Sequence, residues 1–457
     1  MNLGFETCGN ATLIVYDGGI PVLVTDPWIL GAQYFGSWML PYRFTPEQQA
    51  AFAAARHVWL SHGHPDHLNL ESLEVFRDKT VLLPHHHGGR ILKDLNAGGY
   101  QVHELASDSW LQISPQVRIL CCPDWNQDAA LLIALGDDCA VLNLNDGSAL
   151  GTRATLQARL QPFKRRFVLK LFSNGTADMV NFFTEDGRRI DPLPAGSRPL
   201  GFYYSALLKK WGGTHTAPFS CHHVFARTDS RWAAAYEIPI EVHQTDFRQA
   251  RGQFIPGYFL YDVTNDRITE TPMETMPREF REPHEFGDNW SEPLEREDVQ
   301  TVRAYFQKFH HLRQKFQFIN VRVGGQDNFV DLGGAKGRGI TFEAPRHSLM
   351  TAINYEIFDD LLIANFMKTV LHGGVRSLYP DFTPYVAKYG DNGRAFSASE
   401  LQDYFRAYRK DSGFYGWLEQ VRVDSSRKLR RTFLATLQSS TPALYRIARR
   451  GYRRFTA

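Results

Sequence analysis

A chain of 457 residues is longer than most single domains, so it predicts two domains or one domain with a large appendage. Its content of 43% hydrophobic and 22% charged residues is typical of a globular protein and excludes a disordered one. The sequence contains no apolar run of about 18 residues and no basic, then apolar, amino terminus. It therefore predicts neither a membrane span nor secretion and favours a cytoplasmic enzyme.

The five cysteines show no CxxC spacing, which argues against a disulfide framework and a zinc ribbon. We expect these cysteines to be reduced and buried. They are Cys8, Cys121, Cys122, Cys139 and Cys221.

The strands and helices predicted up to residue 245 alternate, which favours a layered α/β fold. The β-rich runs are, in chain order, "ATLIVYDGG", "IPVLVTDPW", "RHVWLSH", "TVLLP", "VRILCC", "AALLIALG", "CAVLNLND", "RRFVLKLF" and "THTAPFSCHHVF". Short helices are predicted over 71–77 and near 207–211.

The sequence changes character beyond residue 245. Two strand-like runs, "GQFIPGYFLYD" and "KFQFINVRVGG", are separated by charged segments that contain proline. Apolar residues at helical spacing then predict one long helix over 347–371, packed on a core. We therefore predict a catalytic domain over 1–245 and an α+β region over 246–457.

The carboxyl-terminal segment is strongly basic although the net charge of the whole chain is only +2. Residues 421–457 hold ten Lys or Arg and one acid, whereas the preceding residues carry 41 basic and 48 acidic side chains. The basic residues alternate with apolar ones, as in an amphipathic helix that lies on an anionic membrane surface. A solvated cationic face packed on the acidic body is the alternative.

The segment "SHGHPDHLN" (61–69) crowds imidazoles at the end of a predicted strand. His62 and His64 are two residues apart, so on extended backbone their side chains point to the same side. Asp66 and His67 follow where the chain turns. Imidazole and carboxylate ligands in this arrangement suit two neighbouring Zn²⁺ or Fe ions.

This segment resembles the HxHxDH motif of the metallo-β-lactamase superfamily, and "VLVTDPWI" (22–29) resembles the strand that precedes that motif. Three further segments resemble the metallo-β-lactamase-like domain of the CMP-N-acetylneuraminate hydroxylases. They are "VLNLNDG", "KLFSNGTADMVNFF" and "APFSCHHVFARTDSRW". The resemblance covers about residues 1–245. It implies a four-layer αββα sandwich, here with an α+β extension.

The resemblance also implies a centre of two divalent metal ions. His62 and His64 would bind one ion and Asp66 and His67 the other, while Asp146 would bridge both. Asp66 and Asp146 are the predicted catalytic groups. His222 or His223, after the strand "APFS", would supply the last ligand, with the other histidine supporting it.

One position departs from the superfamily pattern. The loop "CCPDWNQD" contains no histidine where the superfamily has its third one. Asp124, four residues before Asp128, is the predicted replacement. A carboxylate in place of an imidazole favours iron or manganese over zinc.

Substrate contacts are predicted in three places. The histidines of "PHHHGG" form a wall of the pocket or a surface loop without a role, and the polar loop "KLFSNGTADM" borders the site in the hydroxylases. An arginine before the predicted long helix is placed to meet an anionic group. The residues are His85, His86, Ser173, Asn174, Asp178 and Arg346.

Two reactions fit such a centre. The resemblance favours an oxygenase that uses O₂ on a polar or anionic small molecule, and a hydrolase of a phosphodiester, lactone or amide is the alternative. A non-catalytic scaffold is the third hypothesis, against which the nearly complete ligand set argues.

The partners follow from the motifs present. The 457 residues contain no paired Cys-x-His and Cys-x-x-His segments of a Rieske centre, so an oxygenase would draw electrons from a separate donor or from its substrate. They also contain no phosphate-binding loop, no dinucleotide fingerprint and no nucleic-acid motif.

Overall fold

The computed structural model describes residues 2–173, 180–192, 198–271 and 273–440, and these residues form a mixed α/β fold with several mixed sheets. The α-helices are Pro46–Ala54 (α1), Leu70–Leu73 (α2), Arg90–Ala97 (α3), Arg153–Leu160 (α4), Leu200–Trp211 (α5), Arg296–Gln307 (α6), Arg346–Asn354 (α7), Phe358–Ile363 (α8) and Ala398–Ser440 (α9). Short 3₁₀ segments are Glu74–Phe76, Thr228–Tyr236, Ile240–Val242, Gln249–Arg251, Pro283–Phe286 and Leu312–Gln314, and Pro384–Asn392 is a π-helix. None of the described helices is both long enough and apolar enough to cross a membrane.

The first large sheet changes from antiparallel to parallel pairing along its width. Its strands, in spatial order, are Arg267–Glu270, Phe259–Asp262, Leu3–Cys8, Thr12–Asp17, Ile20–Thr25, His57–Trp59, Thr80–Pro84 and Gln101–Leu105. Pairing is antiparallel as far as Ile20–Thr25 and parallel from there on. The parallel strands therefore end at one edge, where the histidine-rich loop begins.

The second large sheet has the same mixed character. Its strands are Gln253–Phe254, His215–Thr216, Arg165–Leu171, Cys139–Asn143, Ala129–Leu135, Val117–Pro123 and Trp110–Ser114, and Pro218–Phe219 pairs with Arg165–Leu171. Short two-stranded pairs join Trp38–Met39 to Val224–Phe225 and Tyr42–Arg43 to Glu274–Thr275.

The two large sheets face each other across an apolar core. Phe5 from the first sheet meets Phe167 from the second edge to face, with ring centroids 5.0 Å apart. Both side chains are completely buried, as are Leu131 and Ile133 in the same core. The predicted reduced cysteines are free and buried.

Helices cover the outer faces of both sheets. Phe52 of α1 packs against the side of the first sheet that faces away from Phe5, in one cluster with Val58 and Val81. Leu156 of α4 and Trp211 of α5 pack in the same way on the second sheet. Each of these helices follows or precedes a strand in the chain and buries apolar side chains against a sheet. Strands and helices therefore alternate along this part of the sequence.

The single helix predicted over 347–371 is wrong. The segment forms α7, α8 and then the strand Lys368–His372. Glu356 and Asn365 adopt left-handed backbone angles, with φ of 54° and 70°, and each interrupts the helical path. All three segments bury apolar side chains. Apolar residues therefore continue at helical spacing along the sequence, although the segments do not form one helix.

The segments on the two sides of residue 245 share sheets. Phe259–Asp262 pairs with Leu3–Cys8 in the first sheet, and Gln253–Phe254 pairs with His215–Thr216 in the second. A third sheet contains, in order, Asn181–Phe183, Lys368–His372, Gly339–Glu343, Phe318–Val323 and Gln326–Asp331. Each of these sheets therefore draws strands from both sides of the predicted domain boundary.

A buried guanidinium joins the amino-terminal half to the carboxyl-terminal region. Arg227 is fully buried and pairs with Asp229 at 2.8 Å and with Asp288 at 2.6 Å. The guanidinium carbon also lies 3.8 Å from the centroid of the Phe366 ring. Asp288 is itself completely buried, so Arg227 supplies the cation that offsets the cost of removing its carboxylate from water.

We expect Arg227→Met to lower the free energy of unfolding by about 3–5 kcal/mol, because it leaves a buried carboxylate without its cation. Urea titration followed by circular dichroism measures this change. Arg406→Met, which breaks an exposed pair with Asp403, is the matched control and should have no measurable effect. Equal stability of the two variants would contradict the structural role of Arg227.

Candidate metal centre

The histidine-rich loop lies where strands of both large sheets end. It follows His57–Trp59 in the first sheet, and Asp26 follows the neighbouring parallel strand Ile20–Thr25. Asp146 follows Cys139–Asn143 in the second sheet, which is parallel to Arg165–Leu171. Carboxyl ends of parallel strands meet at one edge of a sheet, and ligands commonly bind in the crevice there.

Three predicted ligands form a compact cluster. One donor atom from each of His62, His64 and Asp146 lies within 4.8 Å of the others. The closest pair is His62 Nε2 and His64 Nδ1, at 2.9 Å. Two imidazole nitrogens directed at one point, beside a carboxylate, fit a shared cation.

Neighbouring groups fix the orientation of both imidazoles. The Ser61 hydroxyl lies 2.9 Å from His62 Nδ1, so Nε2 is directed towards the cluster. Asp359 Oδ2 lies 3.2 Å from His64 Nε2, so Nδ1 is directed there instead. Although burial opposes protonation, Asp359 raises the pKa of His64 to about 9 when no cation is present. A carboxylate behind a ligating histidine is typical of metal sites.

His67 and Asp66 form the second part of the centre. His67 Nε2 lies 3.4 Å from Asp66 Oδ2 and 3.6 Å from Asp146 Oδ1. The other ring nitrogen, Nδ1, lies 3.1 Å from Asp26 Oδ2. This contact directs Nε2 towards the two carboxylates, so the three groups can hold a second cation. The structure thus brings together His62, His64, Asp66, His67 and Asp146.

The carboxylate of Asp66 is held on both oxygens. The Tyr34 hydroxyl donates to Oδ1 at 2.5 Å, and Asn10 Nδ2 donates to Oδ2 at 2.9 Å. Burial opposes ionisation of Asp66, but the adjacent His67 lowers its pKa below the usual value. The carboxylate is therefore charged and fixed before any ligand arrives.

The two histidines after strand Pro218–Phe219 have different surroundings. His222 Nε2 lies 3.3 Å from the Pro218 carbonyl, and burial lowers the pKa of His222 to about 3. The His223 ring stacks on Trp38 at 3.5 Å between centroids, and burial lowers its pKa to about 4. Neither ring belongs to the cluster of His62, His64 and Asp146. Whether either histidine ligates a metal stays a prediction.

Ser220 lies where this strand approaches the centre. Its hydroxyl donates to Asp146 Oδ1 at 2.8 Å and is 3.4 Å from His67 Nε2. Sequence reasoning missed Ser220 because serine is an ordinary turn residue. It lies two residues before His222, one of the two histidines predicted as the last ligand.

The two acids of the loop "PDWNQD" have different surroundings. Asp124 accepts hydrogen bonds from the backbone of Asn126 at 2.9 Å and of Ser148 at 3.3 Å, so it holds two loops together. Asp128 lies on the wall of the cleft beside the centre, and desolvation raises its pKa to about 7. The role of Asp124 as a ligand stays a prediction, and of the two acids only Asp128 lines the cleft.

A cleft of about 280 Å³ opens over the centre. Tyr34, Trp38 and Ile363 form apolar parts of its wall, and Asp359 and Lys388 contribute charge. Ile363, Asp359 and Lys388 all come from the region beyond residue 245. The carboxyl-terminal region therefore completes the site.

The predicted substrate contacts are dispersed. His86 lines the cleft and lies 3.2 Å from the Tyr408 hydroxyl, whereas His85 is exposed and pairs with Glu104 at 2.8 Å. Arg346 is held by ion pairs with acids at the start of α6 and does not line the cleft. Ser173 borders a different pocket, beside His222 and His223. Asn174 and Asp178 lie outside the described residues.

Sequence reasoning also missed the groups that support the ligands. Asp26 lies at the end of a predicted strand, in the segment "VTDPW". An acid at a strand end is a signal from which its role at the site could have been predicted. Asp359 lies in an apolar run that predicted only core packing. Its contact with His64 joins residues 295 positions apart in the chain, so no local pattern reveals it.

Comparison with known proteins gives distant relatives. No family model matches the chain. A cytidine monophosphate-N-acetylneuraminic acid hydroxylase from Asterias rubens is 25% identical over 109 residues, which are 22% of this chain and 17% of the relative. The chain thus matches less than a fifth of that relative's length.

Similar solved structures have low identity and low TM-scores. CmlA, a diiron β-hydroxylase from Streptomyces venezuelae, is 15% identical with a TM-score of 0.36, over 59% of this chain and 54% of CmlA. The metallo-β-lactamase fold protein YhfI from Bacillus subtilis is 11% identical with a TM-score of 0.33, over 56% of this chain and 92% of YhfI. Zn²⁺-bound PqqB from Methylobacterium extorquens is 13% identical with a TM-score of 0.25, over 46% and 72%.

A protein described as having the metallo-β-lactamase fold is thus among the solved structures to which this chain is similar, at a low TM-score. The cluster of His62, His64 and Asp146 by itself offers ligands that suit a divalent metal ion.

We expect Asp359→Asn to weaken metal binding by about 10–100-fold, because it removes the carboxylate that orients His64. Titration with a metal-competing chelator measures the affinity. Asp331→Asn, at an exposed position of the third sheet, is the control and should bind metal like the unchanged protein. Unaltered affinity in Asp359→Asn would show that His64 does not need this partner.

A pair of variants separates the two loop acids. We expect Asp128→Asn to lose one of two metal ions with little change in stability, because its carboxylate faces the cleft. Asp124→Asn should keep both ions but unfold at lower urea concentration, because the amide keeps only one of the two acceptor oxygens that hold the backbone of Asn126 and Ser148. Elemental analysis and urea titration of both variants decide the matter, and loss of metal in Asp124→Asn alone would reverse the assignment.

Proposed function

We propose that this protein is a dinuclear, iron-favouring oxygenase that hydroxylates a polar or anionic small molecule. The observation that carries the proposal is the donor set, in which three imidazoles converge with the carboxylates of Asp66 and Asp146. Asp128 adds a further carboxylate to the cleft wall. Carboxylate-rich surroundings favour iron over zinc, although they do not exclude zinc or manganese.

The relatives support the same proposal in part. The stretch that is 25% identical belongs to a hydroxylase. The helices packed outside the two large sheets agree with the four-layer αββα arrangement that the resemblance implies. The α+β extension then adds one wall of the cleft.

A bound pair of redox-active ions would supply the reduction of O₂ at this site. Hydroxylation joins one oxygen atom to a substrate carbon, and the other leaves as water with two protons and two electrons. A separate reduced electron donor is therefore part of the proposal.

The residues of this chain would position the substrate and restrict water. Lys388 extends from the π-helix towards the cleft, and its charge acts on His62 and Asp128. It is thus placed to attract an anionic substrate group. Arg90 also lines the cleft, but its guanidinium is engaged by the Glu356 carbonyl and Asn392. Trp38 and Tyr34 close the apolar side of the cleft.

Metal and oxygen measurements test the proposal. We expect the protein purified without chelator to contain iron, and the chemically reduced protein to take up O₂ in proportion to that iron. His62→Ala combined with His64→Ala should remove the uptake, whereas His85→Ala, at an exposed histidine, should not. Isotopically labelled O₂ should appear in the hydroxylated product from a fractionated metabolite extract.

A hydrolase would behave differently. It would work without O₂ or reductant, with zinc bound, and its products would differ from the substrate only by water. That outcome would replace the oxygenase with the predicted alternative. If the protein binds no metal, the oxygenase and the hydrolase are both excluded, and the non-catalytic scaffold is the remaining hypothesis.

A further inference from the structure

Helix α9 consists of two parts with different environments. Gly413 has φ of 62° and ψ of −171°, which breaks the helix after its first four turns. The part before the break packs on the body, where Tyr404 and Tyr408 are buried. Tyr408 touches His86 in the cleft. The part after the break begins with Phe414, whose side chain is exposed.

One side of the second part is fixed to the body. Gly416 lies directly against the Gly151 backbone, so closely that a β-carbon would be 2.0 Å from the Gly151 carbonyl oxygen. Glu419 pairs with Arg153 of α4 at 3.1 Å. Gly416 and Glu419 are three residues apart and share one side of the helix. This side therefore faces the protein.

The opposite side carries large apolar residues at helical spacing. Phe414, Trp417, Leu418 and Val421 follow the pattern i, i+3, i+4, i+7, which forms one stripe. Their exposed fractions are 68%, 38%, 39% and 39%. The Phe414 and Trp417 rings lie 5.8 Å apart, so the stripe is continuous. Apolar stripes of this kind usually mark a binding surface.

The charge beside this stripe is strongly positive. Arg422 follows the stripe directly and is exposed. From residue 421 to the end the sequence holds ten Lys or Arg against one acid. Exposed aromatic and aliphatic side chains next to a dense basic segment are typical of helices that lie on anionic membranes.

We propose that the stripe of Phe414, Trp417, Leu418 and Val421 binds an anionic phospholipid surface, with the exposed Arg422 beside it in contact with the head groups. The apolar side chains would enter the boundary between head groups and acyl chains, where Trp is favoured. A second copy of the chain fits less well, because pairing of the stripes would bring two basic segments together.

Vesicle sedimentation with the full-length protein tests this surface. We expect the protein to sediment with phosphatidylcholine vesicles that contain phosphatidylglycerol, to remain in solution with phosphatidylcholine alone, and to detach as the salt concentration rises. The variant with Phe414, Trp417, Leu418 and Val421 all changed to Ser should lose at least about tenfold in affinity. Arg422→Gln should lose about fivefold.

A matched control separates the stripe from general surface hydrophobicity. The control variant changes Ile20, Leu30, Leu70 and Phe329 to Ser, which are exposed apolar residues elsewhere. It should bind vesicles like the unchanged protein, and circular dichroism should show both variants folded.

Three results would overturn the proposal. They are no sedimentation of the unchanged protein with anionic vesicles, equal sedimentation of the stripe variant, and sedimentation that does not depend on anionic lipid. A concentration-dependent dimer that the stripe variant abolishes, without vesicle binding, would instead assign the stripe to a second copy of the chain. Light scattering measures that mass.

Discussion

The buried carboxylate of Asp26 joins the three loops on which the candidate centre depends. One oxygen accepts from the Ser61 backbone at 2.7 Å, which fixes the start of the histidine-rich loop. The other lies 3.1 Å from His67 Nδ1 and accepts from Asn145, next to the proposed bridging Asp146. A buried carboxylate is costly unless its acceptors are used, and here they are. Asp26 thus sets the distance between the ligands of the two sheets.

The carboxyl-terminal region belongs to the site as much as the amino-terminal half. Asp359 orients His64, and Tyr408 meets His86 on the cleft wall. Arg227 joins the two halves through Asp288, and both side chains are completely buried. A site assembled in this way needs both halves folded before its side chains have fixed directions.

Helix α9 connects the candidate metal centre to the proposed membrane-binding stripe. The first part of α9 supports the cleft through Tyr404 and Tyr408, whose hydroxyls both accept hydrogen bonds from Gln127 Nε2. The second part begins at the break at Gly413 and is held to the body by Gly416 and by the pair of Glu419 with Arg153. Binding of its opposite side to a membrane would therefore involve none of the residues that line the cleft.

The sequence by itself determined the motif, the resemblance to metallo-β-lactamase-fold proteins and most of the strands that carry the site. Within the motif, His62, His64, Asp66 and His67 fall within six consecutive residues, so their proximity follows from the chain and the strand that precedes them. The helix predicted over 347–371 failed because a stripe of apolar residues reports burial, and burial is shared by α7, α8 and the strand after them. Only the tertiary structure placed Asp359, Lys388 and Ser220 at the cleft or the centre, and it turned His222 towards Pro218. These positions depend on packing between residues far apart in the chain, and such packing leaves no periodic trace in the sequence.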